Sequence, residues 1–222
     1  MNNPYFDLLM WARGPGFNIA LFILIGGILL RVVEIFLIGR KRDFAKPKGN
    51  PVVQGLKTIF SRSVPRKGQV QIAPVTYVGG YIFHLGFAIA FLFLGAHIAL
   101  VDDLIGIQWP EANKALIETA AALAVVAGIA LGWTRVTNPV RRALTGFDDW
   151  LVLTLSLLPL ITGYIAVNRV FGVDQTLWMA LHILTAEALM VAFPFTKLMH
   201  AVTFAMARYY NGSIQGRKGA ES

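Results

Sequence analysis

Residues 75–101 read VTYVGGYIFHLGFAIAFLFLGAHIALV. The stretch contains no Asp, Glu, Lys or Arg, and it carries two histidines, His84 and His97. A run this long and apolar exceeds the roughly 18–20 residues that cross the hydrocarbon core of a bilayer, so it predicts a membrane helix. Four further stretches have the same character. Residues 17–38 are apolar except for Asn18, Arg31 and Glu34; residues 115–133 carry Glu118 near their start; residues 150–167 carry no charge. Residues 176–207 carry Glu187 and Lys197 and are unusually long. As one helix that last stretch exceeds about 45 Å, so it tilts, kinks at Pro194 or projects beyond the bilayer.

Composition agrees. The 222 residues are 56% hydrophobic and 14% charged, against about 25% charged in soluble domains. Only lipid can take up so much apolar surface. The expected fold is therefore all-α and integral to the membrane: a five-helix transmembrane bundle in one domain over residues 1–222. The first apolar stretch is too long for a signal peptide and lacks a small-residue cleavage site. There are no cysteines, which removes thiolate metal sites, iron–sulfur ligation, disulfides and covalent haem attachment.

The net charge of +8 is unevenly placed. Residues 40–74 hold nine Lys and Arg; Arg135, Arg141 and Arg142 follow the third segment, and Arg208, Arg217 and Lys218 lie in the tail, residues 208–222. The opposite side holds Arg13, Lys114 and Arg169. The positive-inside rule puts the N-terminus outside and the C-terminus in the cytoplasm, as an odd number of helices requires. Topology thus explains the basic excess, and no nucleic-acid partner is expected. Within the basic loop, residues 52–67 set Val53, Leu56, Ile59 and Phe60 among Lys57, Arg62 and Arg66. That pattern suits an interfacial helix or a solvated basic loop, and either surface suits docking of a soluble partner.

All four histidines lie in two segments: His84 and His97 in the second, His182 and His200 in the fifth. Ionisable groups inside a membrane are functional by default. The two segments run in opposite directions, so the histidines pair crosswise by depth: His97 opposite His182 toward the outside, His84 opposite His200 toward the inside. Two stacked pairs are what two bis-histidine haems require. The spacings fit unevenly. His182 and His200 are eighteen residues apart, five turns of an ideal helix and one face. His84 and His97 are thirteen apart, a rotation of about 220° and a rise of about 20 Å, against about 27 Å for the other pair. A distortion near Gly86 or Gly95, or a tilt of the fifth helix, is needed to bring both pairs together. Hydrogen bonding between helices, or a proton relay in a transporter, is the alternative use of such histidines; a passive membrane anchor is a third reading.

Three motifs extend this. Phe83-His84-Leu85-Gly86 is followed by Gly95-Ala96-His97; Asn138-Pro139-Val140-Arg141-Arg142 by Thr145-Gly146-Phe147-Asp148; Leu181-His182 by Phe193-Pro194-Phe195-Thr196-Lys197-Leu198-Met199-His200. Over nearly its whole length the chain resembles the respiratory nitrate reductase gamma subunit family of dihaem b-type cytochromes. The resemblance implies a subunit of the bacterial or archaeal cytoplasmic membrane with two haem b groups. It implies that His97 and His182 hold the outer haem and His84 and His200 the inner one. Quinol from the membrane pool is oxidised near the outer haem, and electrons pass to a cytoplasmic iron–sulfur or molybdenum partner. Lys114, four residues after Pro110, matches the family's quinol-site lysine; an interfacial lysine reaching for water is the other reading. The His84–His97 separation is longer than that of the nitrate reductase subunit itself. It favours relatives that serve other complexes, with heterodisulfide-reductase-like iron–sulfur proteins or hydrogenases as partners.

Arg31 and Glu34, three residues apart, form an ion pair on one helix face, or Arg31 contacts a propionate of the inner haem. Lys197 and Arg142 are further propionate candidates, for which reaching the interface is the simpler account. Glu187 is either a proton route or a polar contact between helices. The five tryptophans sit near segment ends, as an interfacial aromatic belt requires. The acidic residues Asp102, Asp103 and Glu111, with Trp109 and Pro110, are expected to cover the outer end of the bundle.

Overall fold

The computed structural model describes residues 3–39, 44–172 and 174–220. Three of the nine basic residues expected in the first loop, Arg40, Lys41 and Arg42, lie outside them. The described residues form helices and no strand. Five helices are long and apolar enough to cross a membrane: Phe6–Leu37, Pro74–Phe93, Lys114–Thr137, Phe147–Asn168 and Gln175–Phe195.

The first span begins well before the expected residue 17. Helix α1 (Phe6–Trp11) runs through a π turn (Ala12–Gly16) into α2 (Phe17–Leu37). Pro15 lies in that turn. A proline has no N–H to give and its ring crowds the preceding carbonyl, and a widened turn absorbs both without ending the helix. On the basic side, α3 (Pro51–Ser61) is capped by Asn50, whose side chain accepts from the Val52 and Val53 amides. A single turn, α4 (Gln69–Ile72), leads to the second span.

That span is not the single helix expected over 75–101. It consists of α5 (Pro74–Phe93) and α6 (Gly95–Ile105), separated at Leu94, whose backbone is extended at φ −77°, ψ 125°. Three of the carbonyls freed at the end of α5 find donors. Phe91 O accepts from His97 Nδ1 at 3.0 Å, Leu92 O from Trp109 Nε1 at 2.6 Å, and Phe93 O from the Ala112 amide at 3.1 Å. The break is therefore a capped helix end, held by the returning loop that leads into α7 (Lys114–Thr137).

Helix α7 is the most buried span. Its small residues Ala120, Ala121, Ala124, Ala127, Gly128 and Gly132 are buried. They let neighbours come close, as small residues do in membranes. A Cβ on Gly86 of α5 would lie 2.4 Å from the Ala120 carbonyl oxygen, and one on Gly128 would lie 2.6 Å from Leu157. After α8 (Pro139–Leu144), α9 (Phe147–Asn168) forms the fourth span.

The fifth segment is also interrupted. Helix α10 (Gln175–Ala192) is capped by Asp174, which takes the Thr176 and Leu177 amides and the Asn3 side chain. The Leu177 amide in particular holds the Asp174 carboxyl below the usual carboxylate range. Two 3-10 turns (Phe193–Phe195 and Lys197–Met199) then separate α10 from α11 (His200–Lys218). The kink at Pro194 is thus realised, and the eighteen residues from His182 to His200 are not five turns of one helix. Buried Pro194 packs on Gly27 of α2, where a Cβ would lie 2.5 Å from its ring.

The spans pack in a row. Helix α5 packs on α7, α7 on α9, α9 on α10, and α10 on α2. Among the described residues α5 and α10 are not a principal contact; the histidines meet instead between α6 and α10 and between α5 and the start of α11.

The expected tail is a continuation of helix. α11 runs to Lys218 and packs against α3. Glycines set that contact: a Cβ on Gly212 would meet Thr58 at 2.2 Å, one on Gly216 would meet the Asn50 carbonyl oxygen at 2.8 Å, and one on Gly55 would meet Tyr209 at 2.7 Å. Arg208 Nη1 donates to Ile59 O and Ser63 Oγ, and Arg217 Nη2 to Ala45 O. The loop and the tail form one basic unit, with Val52, Val53, Leu56 and Phe60 of α3 exposed.

Candidate functional site

The four histidines meet in the two pairs expected from depth. His97 of α6 and His182 of α10 have ring centres 6.0 Å apart and ring planes 18° from parallel. His84 of α5 and His200, the first residue of α11, have centres 6.1 Å apart and planes at 81°. The Leu94 break supplies the rotation that an unbroken helix over 75–101 denies to His97.

Each imidazole is fixed by its Nδ1. His84 is bonded to Gly80 O at 2.7 Å, His97 to Phe91 O at 3.0 Å, His182 to Pro159 O at 2.9 Å and His200 to Lys197 O at 2.7 Å. A carbonyl only accepts, so all four Nδ1 atoms carry the hydrogen and donate it. In the neutral imidazole the other nitrogen, Nε2, is then a bare lone pair. Two such acceptors cannot hydrogen-bond to each other directly. This is the arrangement that second-shell carbonyls give to metal-ligating histidines.

The spacing fits a metal between the rings. A metal–imidazole bond is about 2 Å, and the ring centre lies about 1 Å behind the nitrogen. Two rings on opposite sides of one atom therefore have centres about 6 Å apart. Among the described residues no cluster of three or more His, Asp or Glu is assembled. Each pair is a two-imidazole donor set, which suits an iron whose other four positions belong to a planar tetrapyrrole.

The surroundings hold the rings. Phe83 meets His84 edge-on at 5.5 Å, and Phe91 lies 5.5 Å from His97. Gly163 of α9 gives His182 room: a Cβ there would stand 2.8 Å from its Nδ1 and Cε1. Neither Gly163 nor the Pro159 carbonyl was among the residues singled out in the sequence. Both act on a residue more than fifteen positions away, and no local pattern marks them.

Arg31 makes the expected pair, with Nη1 2.9 Å from Glu34 Oε2, and its Nε donates to Pro194 O at 3.1 Å. It therefore ties α2 to the break that precedes His200. Lys197, itself exposed, pairs with Asp149 at 2.8 Å and Asp148 at 3.8 Å. Arg142 is exposed on α8.

A cavity of about 260 Å3 opens on α6, the helix that carries His97, under Trp109. Gly95, Ile98 and Ala99 form its apolar wall, and Asp102, Gln108 and Glu111 its polar one. Lys114 is not in that wall; it is exposed, with Nζ 3.5 Å from Glu118 Oε1. Glu187 is buried on another face of α10, its Oε1 without a hydrogen-bond partner, and its carboxyl lies against Gly16 of the π turn.

No protein-family model matches the chain. It is similar to a protein of Nitratidesulfovibrio vulgaris (strain Hildenborough) described only as "Protein". The two are 28% identical over 203 residues, which cover 88% of each chain.

Proposed function

We propose that this protein is a dihaem b-type cytochrome of a bacterial or archaeal cytoplasmic membrane, the quinone-linked electron-transfer subunit of a larger oxidoreductase. One observation carries the reading: four histidines in two facing pairs, each with Nδ1 engaged by a carbonyl and Nε2 left for a ligand. His97 and His182 hold the outer haem, and His84 and His200 the inner one. Bound haem supplies one-electron chemistry at each iron; the chain supplies ligands, spacing and a low-dielectric surround. The likeness of the histidine motifs to the nitrate reductase gamma subunit family supports the same reading. So does the distribution of Lys and Arg, which puts the N-terminus outside and the α3–α11 unit in the cytoplasm. There the basic unit faces an iron–sulfur or molybdenum partner. The separation of His84 from His97 favours a heterodisulfide-reductase-like partner over nitrate reductase.

Two haems per chain are expected in the purified protein. Acid–acetone should extract all of the haem, because no cysteine is present to bind it covalently. The pyridine haemochrome ratio should approach two. A colourless protein would return the histidines to a proton relay or the chain to a passive anchor.

The quinone site belongs at the outer end, in the cavity under Trp109; Lys114, exposed on the first turn of α7 and outside the cavity wall, acts on quinol that approaches it. Quinol oxidised there releases protons outside while electrons move inward, and each charge crossing the full potential works against about 2.3 kcal/mol per 100 mV. Lys114→Ala should slow reduction of the haems by a quinol analogue severalfold and leave both haem spectra intact. Unchanged kinetics in stopped-flow reduction would remove Lys114 from the site.

A further inference from the structure

A second cavity lies at the opposite end of the bundle from Trp109. It holds about 210 Å3 and sits between the first turn of α5 and the last turn of α7, space for several waters at about 30 Å3 each. Its polar side chains are Thr76, Thr134, Thr137, Asn138 and Arg141, and no carboxylate lines it. Arg141 and Asn138 come from the Asn138-Pro139-Val140-Arg141-Arg142 motif, which the histidine site does not use.

Three features of the wall favour an anion. Arg141 Nη1 donates to Thr134 Oγ1 at 3.1 Å, which holds the guanidinium at the wall, and among the described residues no carboxylate pairs with Arg141. The Thr76 hydroxyl oxygen is buried without a hydrogen-bond partner. A native structure seldom leaves such a group unused. The cavity also faces the N-terminal turn of α5, a twenty-residue helix whose dipole is positive at that end. A guanidinium fork and a hydroxyl, in the positive field of that helix end, are a donor set that binds phosphate; the Thr76 and Tyr77 amides themselves donate to the Ala73 carbonyl.

We infer that this cavity is a phosphate-binding site at the membrane surface. The shared chemistry is a tetrahedral phosphate oxyanion, supplied either by a phospholipid headgroup, which the ends of α5 and α7 meet at the interface, or by inorganic phosphate. Arg141 takes two of its oxygens, and Thr76 donates to a third.

The test uses the full-length protein, delipidated in detergent. It is offered phosphatidylglycerol, a phosphate-free glycosyl diacylglycerol, or inorganic phosphate against chloride at matched ionic strength. Lipid retention is read by native mass spectrometry, and binding of inorganic phosphate by the thermal unfolding shift. Phosphatidylglycerol should be retained over the glycolipid, and both Thr76→Val and Arg141→Gln should weaken retention at least tenfold. Arg142→Gln, which removes the same charge from the exposed neighbour, should bind as the parent does. The same variant pattern with inorganic phosphate, and no lipid preference, supports the site with a solute as its source. Equal loss in Arg142→Gln would mean a diffuse basic surface. No preference for either phosphate source, or undiminished binding in Thr76→Val and Arg141→Gln, would mean a water-filled crevice. Either result overturns the inference. Thr76→Val preserves side-chain shape, so the test stands even where Arg141→Gln fails to fold.

Discussion

On the proposed two-haem assignment, His97→Ala should leave a protein with one haem, and His200→Ala should leave one haem as well, but the other one. The pairs are separate: His97 faces His182 at 6.0 Å and His84 faces His200 at 6.1 Å. Each ring is anchored by its own carbonyl, so losing one does not unseat the rings of the other pair. In a potentiometric titration each variant should lose one redox component and largely keep the second. If both variants lost the same component, the crosswise assignment would be wrong. If both kept two, the histidines would not be the ligands.

The second large effect needs no change to a histidine. With haem bound as proposed, Gly163→Ala should empty the His97–His182 site. Its Cβ would stand 2.8 Å from two atoms of the His182 ring, closer than side chains tolerate. Overpacking costs about 1–3 kcal/mol, while a hydrogen bond contributes about 1 kcal/mol net. The strain is therefore relieved by pushing the ring off the Pro159 carbonyl, not by parting α9 from α10. The ring then leaves its place 6.0 Å from His97. Haem content should fall to about one per chain, with the His84–His200 component unchanged in the titration. Gly80→Ala is the matched control. A Cβ there meets nothing within 4 Å, and the carbonyl that anchors His84 is retained, so both haems should remain. A Gly163→Ala protein with two haems and the parent spectrum would defeat the argument.

These effects separate what a linear reading reveals from what it hides. The five spans were legible because lipid demands continuous apolar runs, and each run is written in consecutive residues. The histidine pairs were legible through depth, since antiparallel helices of known direction fix which residues share a level. The Leu94 break was not. No proline lies near it, and Gly95 alone does not stop a helix. What ends α5 there is the capture of the Phe91, Leu92 and Phe93 carbonyls by His97, Trp109 and Ala112. Two of those three donors lie beyond the segment. An ideal-helix rotation of about 220° between His84 and His97 therefore looked like an obstacle to pairing, when it applied to a helix that is not continuous. Pro194 shows the contrast: a proline announces its kink locally. The merging of loop and tail was hidden for the same reason as the break. Gly212 and Gly216 are informative only once α3 is known to lie against them.

The ring planes have a consequence for magnetism. The two imidazoles of the outer pair are turned only 18° from parallel, whereas those of the inner pair are crossed at 81°. In a low-spin ferric centre the axial ligands overlap the iron d orbitals through their π systems. Parallel planes act on one of the two orbitals and split the pair; crossed planes act on both and leave them nearly degenerate. With haem held by both pairs as proposed, the unpaired electron should therefore give a rhombic g tensor at the His97–His182 iron and a strongly anisotropic one, with a larger principal value, at the His84–His200 iron. The oxidised protein should thus carry two distinguishable paramagnetic signatures, and the one that disappears in His200→Ala should be the more anisotropic.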